Sequence, residues 1–235
     1  LERHLARLRN GADVIGLSLR WTDAELSGAI NKTLVANELR EAFVRLTVSR
    51  GVPKVRGLLP DKNATPTLLI QCGSFAGYPA EEYGRGLRVI ISSVRRNEHS
   101  PLSNIKSLNY LDNILARKEA TDAGVDDALM LNTTGNIACA SAANIFFVTG
   151  DMLITPPLKD GALPGTMRAY VMGELSLKLG LLVIERSVSP AEIAEMDEVF
   201  LTNALMGVMP LVRVDDEKIG VGEPGRFTEM LKSAA

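Results

Sequence analysis

The hydrophobic period of this chain switches repeatedly between that of a helix and that of a strand, yet never settles into regular βαβ alternation. The switching predicts an α+β protein and argues against a doubly wound nucleotide-binding fold. Thr22-Asp23-Ala24-Glu25 has the spacing of a capping box, so a helix is expected from there to about Glu38. Ala42 to Ser49 and Thr67 to Cys72 are rich in β-branched residues and read as strands, separated by turn formers around Gly51-Val52-Pro53 and Pro60-Asp61. Gly73 to Gly86 reads as the linker region, giving a small domain over 1–80, a linker at 81–86 and a larger domain over 87–235.

In the larger part, Leu87 to Val94, Ala128 to Asn132, Asn144 to Val148, Met152 to Thr155 and Leu181 to Glu185 read as strands. Helices are expected over Ser107 to Asp122, from Pro164 to Lys178 and after Ser189-Pro190. The chain opens directly into a helical pattern at Leu5 and Leu8 with no capping residue before it, which suggests that sequence is missing upstream.

Composition narrows the function classes. The 235 residues suffice for a buried core, and 26 Lys plus Arg against 28 Asp plus Glu give a net charge of −2. That balance offers no electrostatic reason to expect nucleic acid or an anionic membrane, and any anion must be held by local donors. No apolar stretch approaches a bilayer span, and Cys72 and Cys139 cannot build a disulfide framework, so a cytoplasmic protein with free thiols is expected. The Asn-x-Thr triplets at Asn31, Asn63 and Asn132 read as chance matches in such a protein. With only His4 and His99, a His-rich metal site is not expected. Gly220-Val221-Gly222-Glu223-Pro224-Gly225 matches a dinucleotide fingerprint in letters, but its late position and its Pro read as a turn. Arg95-Arg96-Asn97-Glu98-His99 reads as a solvated loop after a strand.

One position stands out chemically. Lys106 lies at the seam between a polar loop and an apolar helix pattern, where an amine can be desolvated and made nucleophilic enough to form a Schiff base with a carbonyl cofactor. The same position also suits an ordinary solvated lysine at a helix start.

Asn104-Ile105-Lys106-Ser107-Leu108-Asn109-Tyr110-Leu111 and its continuation to Ala120 resemble the cofactor-lysine signature of class IV aminotransferases, the fold-type IV pyridoxal phosphate enzymes. Four more segments agree in order. His4-Leu5-Ala6-Arg7-Leu8 resembles the phosphate-arginine motif, and Gly135 through Asn144-Ile145-Phe146 the G-x-V-x-E-x-x-x-x-N-hydrophobic-F block. Leu163-Pro164-Gly165-Thr166-Met167-Arg168 resembles the phosphate-receiving helix start, and Asp197-Glu198-Val199-Phe200 leads into the last motif. The resemblance implies a small α/β N-terminal domain, lacking the family's first strands, and a larger mixed β-barrel-like domain with flanking helices. It also implies pyridoxal 5′-phosphate as cofactor and a homodimer.

The resemblance assigns roles residue by residue. Lys106 would carry the cofactor and move protons on the substrate. Arg7, the amides of Thr166 and Met167, Asn203 and the backbone at Ala204 would surround the phosphate. Leu163 would pack under the ring, or serve as ordinary core. Tyr110 would bond the ring's phenolic oxygen, or stand on the helix surface. Arg56 is the candidate clamp for a substrate carboxylate, with Lys54 and Arg50 as alternatives and a plain surface loop as the other reading.

Thr202-Asn203-Ala204-Leu205-Met206-Gly207-Val208-Met209-Pro210 and Met167 resemble aminodeoxychorismate lyases more than the Thr-rich segments of branched-chain and D-amino acid aminotransferases. Counting back five from Asn144 places Cys139 where the family has the Glu that partners the pyridine nitrogen. A thiol keeps that nitrogen charged only if it ionises, so a weaker electron sink is expected. The implied functions are a lyase forming 4-aminobenzoate and pyruvate, an aminotransferase of D-amino or branched-chain amino acids, or a cofactor-binding protein of low activity.

Overall fold

A computed structural model describes residues 1–54, 56–61 and 64–235, so the triplet at Asn63 lies outside the described residues. The chain divides into two units, Leu1–Gly77 and Tyr78–Ala235.

The smaller unit holds helices α1 (Glu2–Val14) and α2 (Asp23–Ala36) and the strands β1 (Ala42–Ser49) and β2 (Thr67–Ser74). The capping box forms: the Glu25 amide donates to Thr22 Oγ1 at 3.2 Å, and the Thr22 amide donates to the Glu25 carboxylate at 2.7 Å. β1 and β2 pair antiparallel from Ala42↔Ser74 to Ser49↔Thr67. Among the described residues, Leu5, Ala12, Leu17, Leu26 and Ile30 contribute to its buried apolar interior.

Residues 81–86, expected as the linker, instead belong to helix α3 (Ala80–Arg85) and its C-cap in the larger unit. The reason is Tyr83, which packs against that unit's core and donates its hydroxyl to Met206 O at 2.8 Å.

The larger unit is built on strands β3 (Leu87–Ile91), β4 (Asp127–Leu131), β5 (Ile137–Ala140), β6 (Asn144–Thr149), β7 (Met152–Thr155), β8 (Leu182–Glu185), β9 (Glu198–Asn203), β10 (Gly207–Val214) and the short β11 (Glu217–Lys218). Their order is β5-β4-β3-β10-β9-β6-β7-β8, with β11 beside β10. β3 runs parallel to β4 and β10, β7 parallel to β8, and the remaining pairs are antiparallel. This mixed sheet with flanking helices is the α+β class that the switching period predicts.

Both faces of the sheet are covered, which is why β6 reads as an unbroken apolar run. Ile145 and Phe147 join one core with Leu129, Leu201 and Met209. Phe146 and Val148 join the opposite core with Phe200, Val171 and Leu175, and the Phe146 and Phe200 rings stack with centroids 5.0 Å apart. Helix α4 (Leu111–Asp122) lays the small side chains of Ala116 and Ala120 on Ala128, Met130, Ala138 and Cys139. Helix α5 (Thr166–Tyr170) continues through a π-helical turn at Val171–Leu175 into α6 (Ser176–Leu179). The glycine-rich run at 220–225 is a turn, and Gly225 is the N-cap of α7 (Arg226–Ala234). There the Glu198 carboxylate accepts from the amides of Phe227 and Thr228, each at 2.8 Å, and from the Thr228 hydroxyl at 2.7 Å.

Candidate active site

Lys106 lies on an extended segment between a 3-10 turn at Pro101–Asn104 and α4. The helix expected from Ser107 begins only at Leu111, because the amide of Asn109 turns back to Ser107 Oγ at 3.3 Å instead of entering a helical ladder. The Lys106 side chain is consequently exposed, not desolvated by its own chain, with Nζ 5.0 Å from the centre of the Tyr110 ring.

Tyr110 is half-buried and donates its hydroxyl to Ser141 O at 3.3 Å. Asn113, buried on α4, donates to the same carbonyl at 2.7 Å. The 141–143 connection between β5 and β6 is thus held against the start of α4. On its other side, Asn203 Nδ2 donates to Ala142 O at 3.3 Å.

Asn203 closes the turn between β9 and β10. Its Oδ1 accepts from the amides of Leu205 and Met206, both at 2.9 Å, and Ala204 stands exposed on that turn. Asn203 therefore shapes the backbone that presents Ala204. Beside it, Thr202 pairs with Asn144 across β9 and β6, and the buried Thr202 Oγ1 has no hydrogen-bond partner among the described residues.

Asn144 Nδ2 donates to Leu163 O at 2.8 Å, tying β6 to the half-buried Leu163 and the approach to α5. Gly165 caps α5, and a Cβ there would lie 2.0 Å from Asn144 Oδ1, so the close approach needs a residue without one. Thr166 and Met167 form the first turn of the helix, whose amides the intrahelical ladder does not use. Arg168 anchors that turn from beneath, buried, donating to Pro156 O at 3.1 Å and to Glu185 at 2.7 Å.

Cys139 is 5% exposed on β5, opposite Met130. Burial pushes its thiol above the ordinary value; the Arg96 guanidinium pulls it down and the Asp127 carboxylate pushes it up, and burial prevails. At neutral pH it is an uncharged thiol.

Arg96 corrects the expectation of a solvated loop. It is half-buried, and its guanidinium donates to Gly161 O at 2.6 Å, to Ser103 O at 2.8 Å and to Asn113 Oδ1 at 3.4 Å. Arg96 and Asn113 are additions to the expected site residues. For Asn113 a signal exists: it shares the buried face of α4 with Ala116 and Ala120, where a lone amide needs partners.

The two remaining candidates lie in the smaller unit. Arg7 is half-buried on α1, close enough to His4 to help burial lower that imidazole's pKa. Arg56 is exposed in the connection between β1 and β2. Arg50 is committed elsewhere, donating to Gly16 O at 3.1 Å and to Ile15 O at the end of α1.

Known proteins resemble this chain in sequence and fold. The family model "Amino-transferase class IV" matches residues 1–214. The branched-chain-amino-acid aminotransferase-like protein 2 of Arabidopsis thaliana is 35% identical over 236 residues, covering 100% of this chain, which spans 42% of that protein's length. A solved T.th. branched-chain amino acid aminotransferase with pyridoxamine 5′-phosphate superposes with a TM-score of 0.92 at 28% identity, over 99% of this chain and 76% of that one. A proposed 4-amino-4-deoxychorismate lyase from Legionella pneumophila superposes with a TM-score of 0.89 at 26% identity, over 99% of this chain and 84% of that one. The chain belongs to the class IV aminotransferase family of enzymes.

Proposed function

We propose that this chain is a pyridoxal 5′-phosphate-dependent lyase that eliminates pyruvate from 4-amino-4-deoxychorismate to give 4-aminobenzoate. Two ends of that cofactor fit the residues present. At the aldehyde end stands the accessible Lys106 amine, with Asn104 Oδ1 buried and unpartnered two residues before it. At the phosphate end stand the first turn of α5, the Asn203–Ala204 turn and the unpartnered Thr202 hydroxyl. Arg7 adds a guanidinium to the phosphate by the resemblance. By the resemblance Cys139 would take the ring-nitrogen position, where a buried, uncharged thiol would replace the family carboxylate.

When bound, the cofactor supplies an electron sink for charge developing on the substrate carbon. Lys106 Nζ would first hold the cofactor, be released when the substrate amine takes its place, and then take a proton from the substrate ring as a general base. The bond from the ring carbon to the enolpyruvyl oxygen would break, protonated Lys106 would return its proton to the departing enolpyruvate, which leaves as pyruvate, and the ring would become aromatic. By the resemblance, Arg56 would steady a substrate carboxylate. Cys139 carries the choice of reaction: an uncharged partner weakens the sink, which impairs transamination more than an elimination driven by aromatisation.

A second reading, transamination of branched-chain or D-amino acids, is favoured by the aminotransferase relatives. Both activities should be assayed on wild type and Cys139→Glu. 4-Aminobenzoate and pyruvate from the wild type support the lyase; a Glu variant that raises both reactions by one factor removes the selectivity argument. Cofactor binding with neither product would mark a binder of low activity. The reading includes a cytoplasmic homodimer. Free Cys72 and Cys139 fit a reducing compartment, and no helix among the described residues is long and apolar enough to cross a membrane.

A further inference from the structure

Arg96 connects the segments that carry the two ends of the proposed site. Its backbone is fixed to the sheet: the amide donates to Leu131 O at 2.8 Å, and the residue bridges Asn132 in parallel fashion. From that anchor one guanidinium reaches Ser103 O, three residues before Lys106, and Gly161 O, five residues before Thr166. Its third arm reaches Asn113 on α4. Gly161 has φ +91°, and a Cβ there would lie 3.2 Å from Arg96 Cγ and 3.4 Å from Glu98, so the loop takes its shape against the arginine stem.

We propose that Arg96 is a positioning residue that sets the separation between the Lys106 amine and the first turn of α5. The planar guanidinium supplies donors in fixed directions, so the two carbonyls it holds cannot drift independently. This inference rests on the proposed cofactor. A rigid ligand that carries an aldehyde at one end and a phosphate at the other gains from both ends together only if amine and anion cradle are held at matching separation. With the two loops uncoupled, each end still meets its own partner, but the gain from joining them is lost.

The test compares pyridoxal 5′-phosphate with pyridoxal, which has the aldehyde and lacks the phosphate. Wild type, Arg96→Met and Arg96→Lys are titrated with each, following absorbance, and the covalent adduct at Lys106 is verified by intact mass and peptide mapping after borohydride reduction. The wild type should prefer the phosphorylated ligand. In Arg96→Met that preference should shrink about 10- to 100-fold, while affinity for pyridoxal changes less than about 3-fold. Arg96→Lys keeps the charge but not the fork and should lose most of the preference too; it decides the matter if the Met variant does not fold. Retention of the wild-type preference in a folded variant overturns the proposal, as does equal loss for both ligands. Absence of any Lys106 adduct in the wild type overturns the cofactor reading instead, a separate outcome.

Discussion

Asn144 and Leu163 are joined by a 2.8 Å bond from the Asn144 side-chain amide to the Leu163 carbonyl, which fastens β6 to the loop entering α5. Gly165 must lack a side chain for this bond to exist, since its Cβ would lie 2.0 Å from Asn144 Oδ1. Asn144→Ala should cost about 1–2 kcal/mol in urea unfolding, a moderate loss because Leu163 O keeps the Gly165 amide at 2.7 Å. Gly165→Ala should cost about 1–3 kcal/mol by overpacking. The double variant should lose less than the sum, because removing the Asn144 amide makes room for the new methyl. Strict additivity would show that the two residues do not share the strain.

Cys139 gives a prediction with a definite sign. Its folded thiol titrates above the ordinary value of 9.0, chiefly through burial. The unfolded chain then loses this proton first as pH rises, so the native state binds more protons and the contribution to stability falls. It is fully present below about pH 9 and is lost as pH climbs toward the folded value. Cys139→Ala should flatten this part of the stability curve above about pH 9. Native-state alkylation should modify half-buried Cys72 before buried Cys139; the reverse order would contradict the burial.

Glu119 holds the C-terminal half of α4 to the end of β3. It accepts from the Ser92 hydroxyl at 2.6 Å, from the Ser93 amide at 2.9 Å and from the Ser93 hydroxyl. The hydroxyls of Ser92 and Ser93 hold its pKa below the ordinary 4.5, with a smaller opposing push from burial. The stabilisation is therefore present above about pH 4.5 and is lost as pH falls through the depressed folded value. Glu119→Gln should be less stable at about pH 7 and should show a shallower acid limb below about pH 4.5. An unchanged limb in urea melts would mean that Glu119 is not the titrating anchor.

Elements defined by local chemistry are legible in the sequence. Thr22 and Glu25 announce α2 because both halves of the cap lie within four residues, and β1 shows as a β-branched run. β5, β9 and β10 do not read as strands from sequence. Each is wholly or largely buried, so alternation is missing, and Ile137-Ala138-Cys139-Ala140 has little β-branching to replace it. Helix α3 is hidden because Ala80-Glu81-Glu82-Tyr83-Gly84-Arg85 is polar and contains a glycine, leaving only Tyr83 as an anchor. The site divides in the same way. Lys106, Asn144 and the first turn of α5 are visible as motifs, whereas Arg96 acts on carbonyls, which any residue can supply and which leave no signature in the sequence.

Leu111, Ile114 and Leu115 occupy one face of α4 at i, i+3 and i+4, and are 69%, 55% and 52% exposed. Leu108, in the segment after Lys106, adds to the patch at 74% exposure. Four large aliphatic side chains grouped in this way favour burial against a partner, and the proposed homodimer supplies a second copy of this face. Light scattering at tens of micromolar should therefore give the mass of two chains. Leu111→Glu combined with Leu115→Lys places an i,i+4 ion pair where the leucines stood, preserving the helix while charging the face. The double variant should elute as a monomer with an unchanged far-ultraviolet spectrum. If it remains a dimer, the two chains meet elsewhere; if the wild type is itself a monomer, the homodimer is refuted.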